Sequence, residues 1–128
     1  MTIKELIDKV ARLKPHAYAT DEIIGWLTRL EGRIFADIIL THDNPENINF
    51  TGYDSGMDEA EQEATTLIVR EPHDNLYLYY IMSQIDLHNL EYDKYNNSVQ
   101  QFNTAYKDFD LFWHRNRRPV QTVLYFNI

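Results

Sequence analysis

The chain has 128 residues, of which 44% are hydrophobic and 25% are charged, and it contains no cysteine. This length and apolar content predict a single domain with its own core, and the lack of cysteine excludes disulfides and thiol chemistry. The net charge of −8 argues against nucleic-acid binding as the main task, because binding phosphates requires clustered Lys and Arg. No apolar run approaches membrane-spanning length, and we expect no signal peptide, since the first residues pass straight into an amphipathic pattern.

The first predicted helix begins at Thr2, whose hydroxyl can cap the chain while Glu5 follows three residues on. The helix ends before Pro15, because proline disfavours helical backbone in the residue that precedes it. The predicted buried face recurs at helical spacing and consists of Ile3, Leu6, Ile7 and Val10.

The second predicted helix begins after Thr20, with Asp21 and Glu22 favourably placed for the helix dipole. Its apolar face consists of Ile23, Leu27, Leu30, Ile34 and Ile38, widened by Ile24, Phe35 and Ile39. A separate strip of small residues contains Gly25, Thr28, Gly32 and Ala36. Glycine inside a helix costs about 1 kcal/mol, so the strip indicates either the close approach of another backbone or glycines that are merely tolerated.

Residues 43–64 are polar and rich in turn-forming residues, which predicts a long flexible loop that becomes ordered only on assembly. Its acidic residues do not match a calcium-binding loop and are better explained as a solvated helix start; they are Asp54, Asp58, Glu59, Glu61 and Glu63. Residues Thr65 to Val69 are predicted to be extended, because four of the five are β-branched and the segment precedes Pro72.

An apolar and aromatic stripe then recurs at steps of three and four, which keeps its members on one helix face. The stripe consists of Leu78, Ile81, Ile85, His88, Tyr92, Tyr95, Val99, Phe102, Tyr106, Phe109 and Trp113. No Gly or Pro interrupts it, and its phase persists, so a continuous or kinked helix is the favoured interpretation. A helical hairpin that turns at 89–91 or 96–98 is the alternative, because Asn suits turns.

The sequence offers no catalytic or metal-binding pattern. The five histidines show no metal-ligand spacing, and His88, on the stripe, is best explained as a partly buried packing residue. Asp108 and Asp110 point in different directions on a helix, so they do not form a carboxylate pair for acid–base chemistry. We therefore expect no enzymatic activity, no metal and no cofactor.

A basic cluster follows Trp113 in this acidic chain and contains Arg115, Arg117 and Arg118. It is explained either by the dipole at the end of a helix or by contact with an acidic partner surface or passing DNA phosphate. The tail, residues 119–128, has strand character and must pair either with the segment 65–69 or with a neighbouring protein. The predicted partner-binding residues are Arg115, Arg117, Arg118, Val120, Leu124, Tyr125 and Phe126.

About half of the chain, from Thr66 to Arg118, resembles a family of tailed-bacteriophage and prophage head-to-tail connector proteins. The block Tyr95-Asn96-Asn97-Ser98 is the most distinctive part of the resemblance. The other matching segments are Val69 to Tyr77, Gln84 to Asn89, Glu91 to Lys94, Phe102 to Tyr106 and Trp113 to Arg115. Family members often carry Gly after the Asn at position 89, where this chain has Leu90, and the tail after Pro119 has no counterpart.

The resemblance implies a structural virion protein made in the host bacterial cytoplasm and located at the head–tail junction. It implies a homo-oligomeric ring of about 12 copies beneath the portal protein, which would bind the next neck or tail-completion protein and let double-stranded DNA pass without specific binding. The expected fold is a mainly α, small helical bundle of residues 1–128 with one long C-terminal helix, or a helical hairpin, and a short β-like tail. The alternative function is a helical protein–protein interaction module, such as a small regulator or toxin–antitoxin partner, without catalytic activity.

Overall fold

The computed structural model of the chain describes residues 1–117. This part is a mainly α-helical bundle, as predicted, and its α-helices are α1 (Ile3–Leu13), α2 (Thr20–Ile34), α3 (Glu59–Ala64), α4 (Asn75–His88) and α5 (Tyr92–Asn116). A π-helical turn, Phe35–Ile39, continues α2. The predicted strand-like tail, residues 119–128, lies outside the described residues.

The first two helices begin as the sequence predicts. The Thr2 hydroxyl accepts a hydrogen bond from the backbone amide of Glu5 at 3.2 Å and caps α1. The predicted core face of α2 and its continuation is buried along its whole length, from Ile23 to Ile38. The π-helical turn widens the backbone, with the Leu40 amide donating to the Phe35 carbonyl at 2.9 Å. Both Ile38 and Ile39 are buried in this turn.

The stripe belongs to a helical hairpin, so the favoured interpretation as a continuous or kinked helix is wrong, and the alternative of a hairpin that turns at 89–91 is confirmed. The chain turns at residues 89–91, between α4 and α5, and Leu90 adopts a positive φ of 60°. The bend therefore forms without the glycine that the resembling family often has there. The stripe keeps its helical spacing across the turn because His88 and Tyr92 are four residues apart, a separation that also occurs along one face of a helix. Both side chains are exposed.

The seam between α4 and α5 confirms that the stripe is a packing face. Leu78, Ile81 and Ile85 of α4 are buried, and so are Phe102, Phe109 and Trp113 of α5. Other stripe members on α5, including Tyr95, Val99 and Tyr106, are half-buried. The helix α4 lies inside the bundle, because α1, α2 and α5 all pack against it.

The predicted loop 43–64 contains α3 and packs on the strip of small residues of α2. The Tyr53 amide donates to the Thr28 hydroxyl at 3.3 Å, and the Phe50 ring lies 4.0 Å from the position that a Cβ on Gly32 would occupy. Nothing lies within 4 Å of the equivalent position on Gly25. The loop therefore packs against the strip at Thr28 and Gly32, whereas Gly25 has no such contact and is merely tolerated in the helix.

Mobility of this loop in the free monomer stays a prediction. Asp58 caps α3 by accepting from the Glu61 amide at 2.8 Å, in agreement with the predicted solvated helix start. Limited proteolysis of the monomer should cut residues 43–64 first. Full protection of that segment in an isolated monomer would contradict the prediction.

The extended segment 65–69 pairs with the start of the chain. Thr2 and Thr66 form an antiparallel bridge, in which the Ile3 amide donates to the Thr65 carbonyl and the Leu67 amide donates to the Met1 carbonyl, both at 3.1 Å. One edge of the segment is therefore occupied by residues 1–3. Leu67 and Val69 are buried, which anchors the segment to the core.

Candidate interaction surface

The predicted basic cluster is divided by the fold. Arg115 is exposed near the end of α5. Arg117 folds back instead: its guanidinium carbon lies 3.3 Å from the centre of the Trp113 ring, and a guanidinium nitrogen pairs with the carboxylate of Glu46. Of the predicted partner-binding residues, Arg118, Val120, Leu124, Tyr125 and Phe126 lie outside the described residues.

A pair of histidines joins the end of the π-helical turn to the end of α5. The Nε2 atom of His42 lies 2.9 Å from Nδ1 of His114, and Nδ1 of His42 lies 2.8 Å from the Ile38 carbonyl oxygen. Because a carbonyl only accepts, His42 donates through Nδ1, and in its neutral form accepts from His114 through Nε2. The spacing of the histidines in the sequence did not indicate this partly buried contact across the bundle.

An open groove of about 700 Å³ follows the outer side of α5. Its lining is mainly polar and includes Asn97, Gln100, Gln101, Thr104 and Asp108. A smaller cavity shares Pro72, His73 and Asp108 with it and continues to Leu111, Phe112 and Arg115. We call this continuous region the α5 surface.

The α5 surface exposes two large apolar side chains near its end. Leu111 is 43% exposed and Phe112 is 39% exposed. The His73 ring stacks on Phe112 with 4.5 Å between ring centres, and Arg115 lines the same cavity. Apolar and cationic side chains of this kind are enriched at protein–protein contacts.

A buried carboxylate, which the sequence analysis missed, ties the loop to the core. Glu31 is fully buried, and its carboxylate accepts from the Tyr77 hydroxyl, from the Tyr53 hydroxyl at 2.6 Å and from the Ile68 amide at 3.0 Å. The Tyr77 hydroxyl in turn accepts from the Val69 amide at 2.8 Å. Burial raises the pKa of Glu31, and these hydrogen bonds lower it. The only signal was position, because Glu31 lies four residues after Leu27 on the apolar face of α2.

A second buried carboxylate holds the hairpin closed. Asp86 of α4 is fully buried, accepts from the Ser98 hydroxyl of α5 at 2.9 Å and pairs with Lys14 at the end of α1. Both Asp86 and Ser98 lie in segments that carry the family resemblance, and Ser98 ends the most distinctive block. In this chain those two residues have a structural role that their polarity alone did not reveal.

Among residues 1–117, no group of three or more His, Asp or Glu side chains could hold a metal ion. The His88 ring packs 4.9 Å from the Trp26 ring, in agreement with a packing role, although its side chain is more exposed than predicted. None of the helices that the structure describes is long and apolar enough to cross a membrane. The absence of enzymatic activity and of a cofactor stays a prediction.

Comparison of the chain with protein-family models, with curated proteins and with solved structures gave no match.

Proposed function

We propose that this protein is a structural head-to-tail connector that forms a homo-oligomeric ring between the portal protein at the capsid vertex and the next neck or tail protein. The family resemblance of residues 66–118 motivates the proposal. The observation that carries it is the α5 surface, which a single copy leaves open along a helix of 25 residues.

The α5 surface suits contact with another copy of the same chain. A helix of 25 residues is about 37 Å long at 1.5 Å per residue, and only one of its faces packs inside the bundle. Leu111, Phe112 and Arg115 offer apolar area and a cation near its end. Repeating one such contact around a closed ring covers the surface in every copy.

The charge of the chain suits the passage of DNA through such a ring. The net charge is −8, and the acidic residues of the loop and of α3 are exposed, among them Asp54, Glu59, Glu61 and Glu63. A negative channel wall repels phosphate and lets the duplex slide without binding. In this proposal the C-terminal region, which contains Arg115 and the tail, binds a neighbouring protein.

Mass photometry and negative-stain microscopy of the purified protein, alone and with purified portal protein, test this proposal. We expect ring-shaped particles of about 12 copies, or their formation on the portal. Phe112→Glu should reduce ring formation, because it places a charge in the apolar contact. The exposed Ala60→Glu on α3 is the matched control and should leave ring formation unchanged.

A stable dimer with no affinity for portal protein would contradict the connector proposal and favour the alternative, a helical interaction module. Deleting residues 120–128 tests the role of the tail in assembly and attachment. The helical domain should stay folded, because the buried part of the stripe ends at Trp113, whereas attachment to the portal or to the next neck protein should be lost. Normal attachment of the shortened chain would show that the tail is not the binding element.

A further inference from the structure

A second groove lies where the described chain ends. It has a volume of about 450 Å³ and is lined by the extended segment Thr66–Ile68 on one side, by Ile48 and Glu46 of the loop, and by Trp113 and Arg117 at the end of α5. We call it the Thr66 groove. Its walls combine apolar side chains with an exposed stretch of backbone at Thr66.

The backbone of the Thr66 groove has an open edge. Thr65 and Leu67 face residues 1–3 through their hydrogen bonds, so the backbone groups of Thr66 and Ile68 face the opposite edge. The Ile68 amide there donates to Glu31. The amide and carbonyl of Thr66 have no hydrogen-bond partner among residues 1–117. One incoming residue in extended conformation could exchange both hydrogen bonds with Thr66.

The chain itself contains a segment suited to this edge. Residues 119–128 carry no charged side chain, in a chain that is 25% charged, and Val120, Leu124, Phe126 and Ile128 share one side in an extended conformation. The described chain ends at Arg117, which the pair with Glu46 holds at the rim of the groove. Residues 1–117 of each copy therefore provide a strand edge with free backbone groups, and residues 119–128 provide an uncharged sequence suited to pair with it.

We propose that the Thr66 groove receives residues 120–128 of a neighbouring copy, which add a short strand to Thr66. This inference rests on the proposed ring, because a head-to-tail ring requires two different, complementary surfaces on every copy. The tail is the donor surface and the Thr66 groove is the acceptor. The apolar side of the tail faces the half-buried Ile48 and Ile68 in the groove.

Disulfide trapping tests the contact directly, because the native chain has no cysteine. One full-length protein carries Thr66→Cys, and a second carries a single cysteine in the tail, placed in turn at each of positions 121–127. The two are mixed and mildly oxidised, and the products are separated without reductant. We expect disulfide-linked dimers at alternate tail positions, because only every second residue of a strand points to the same side.

Ala60→Cys, exposed on α3 outside the groove, replaces Thr66→Cys as the control for random collision. The inference would be overturned by equal trapping with this control or by no trapping at any tail position. It would also be overturned if the disulfide formed only when both cysteines are in one chain. Mass photometry of the same samples separates the two proposals. Rings without trapping contradict only the tail contact, whereas monomers at every concentration, both alone and with portal protein, contradict the connector proposal as well.

A pair of substitutions isolates the backbone contact. Thr66→Pro removes the open amide but keeps the two hydrogen bonds to residues 1–3, and Thr65 already has an extended backbone that suits a following proline. Thr66→Val keeps the amide. We expect Thr66→Pro to weaken ring assembly at least tenfold and Thr66→Val to leave it within twofold, with both variants folded by circular dichroism. Equal assembly by the two variants would overturn the inference.

Discussion

The two helices of the hairpin come from one uninterrupted apolar stripe, yet they occupy different environments. In α4, seven of 14 residues are buried, including the polar Ser83 and Asp86. In α5, only four of 25 residues are buried. The helix α4 is thus an interior helix that contacts neighbours on several sides, whereas α5 has one packed face and one open face.

We therefore expect the residues that stabilise the fold and the residues that bind a partner to lie on different parts of the hairpin. Substitutions in α4 and on the inner face of α5 should change the free energy of unfolding, because they remove packed groups. Substitutions on the outer face of α5 should leave that free energy nearly unchanged and should alter assembly instead. Matched pairs of substitutions test this separation.

The largest effect should come from comparing two phenylalanines of α5, one buried and one exposed. Phe102 is 4% exposed and Phe112 is 39% exposed. Phe102→Ala should cost about 3–5 kcal/mol, because it leaves a cavity at the seam, and Phe112→Ala should cost about 1 kcal/mol or less. Urea unfolding followed by circular dichroism measures both values. Similar losses for the two variants would mean that α5 has no open face.

Removal of a carboxylate should likewise destabilise the protein more in α4 than on the open face of α5. Asp86→Ala leaves the Ser98 hydroxyl without its acceptor inside the hairpin and should cost about 2–3 kcal/mol. Asp108→Ala, in the exposed groove along α5, should stay within about 0.5 kcal/mol of the wild type. Thermal unfolding at neutral pH compares the two variants. A cost for Asp108→Ala that matches that of Asp86→Ala would contradict the comparison.

The dependence of stability on pH should report on Glu31, which contacts Tyr77 of α4. Burial raises the pKa of Glu31 in the folded chain, so the folded state favours the protonated form. The stability that this group contributes is therefore present below its unfolded pKa of about 4.3 and is lost as pH rises through the raised folded pKa.

Glu31→Gln removes that titration and keeps a side chain of the same shape. The stability of the variant relative to the wild type should increase as pH rises from about 4.3, and then level off above the folded pKa of Glu31. Urea unfolding at a series of pH values measures the difference. A difference that is constant across the series would show that Glu31 ionises equally in the folded and unfolded states.

The smallest effect concerns the turn between the helices. Leu90 is 68% exposed and has a φ of 60°, a conformation that costs a side chain about 1 kcal/mol and glycine almost nothing. Leu90→Gly should therefore stabilise the protein by up to about 1 kcal/mol, whereas Leu90→Ala keeps the strain and should change little. Differential scanning calorimetry of both variants is the measurement. Destabilisation by glycine would show that the Leu90 side chain has a packing role.

Regular features were predictable because they depend on local patterns. The cap at Thr2, the buried face of α2 and the packing of the stripe all follow from helical spacing. The hairpin was not predictable in the same way, because a turn of three residues preserves a spacing of four between His88 and Tyr92. Asn89 marked residues 89–91 as one of two possible turns, but the positive φ falls on Leu90, a residue type that disfavours it.

The buried carboxylates and the division of the basic cluster were beyond sequence reasoning for a different reason. Glu31 and Asp86 gain their partners from residues far along the chain, such as Tyr77 for Glu31 and Lys14 for Asp86. Arg117 likewise pairs with Glu46 across the fold. A polar residue on an apolar face indicates that a partner must exist, but the sequence does not identify which residue it is.

The short turn at residues 89–91 also has a consequence for the order of folding. Closing a loop of three residues costs little chain entropy, whereas the contact of Glu31 with Tyr77 closes a segment of more than 40 residues. The α4–α5 hairpin should therefore form in the transition state, with the Glu31 contacts following later. In a φ-value experiment, seam residues such as Phe102 should give high values and Tyr53 should give values near zero.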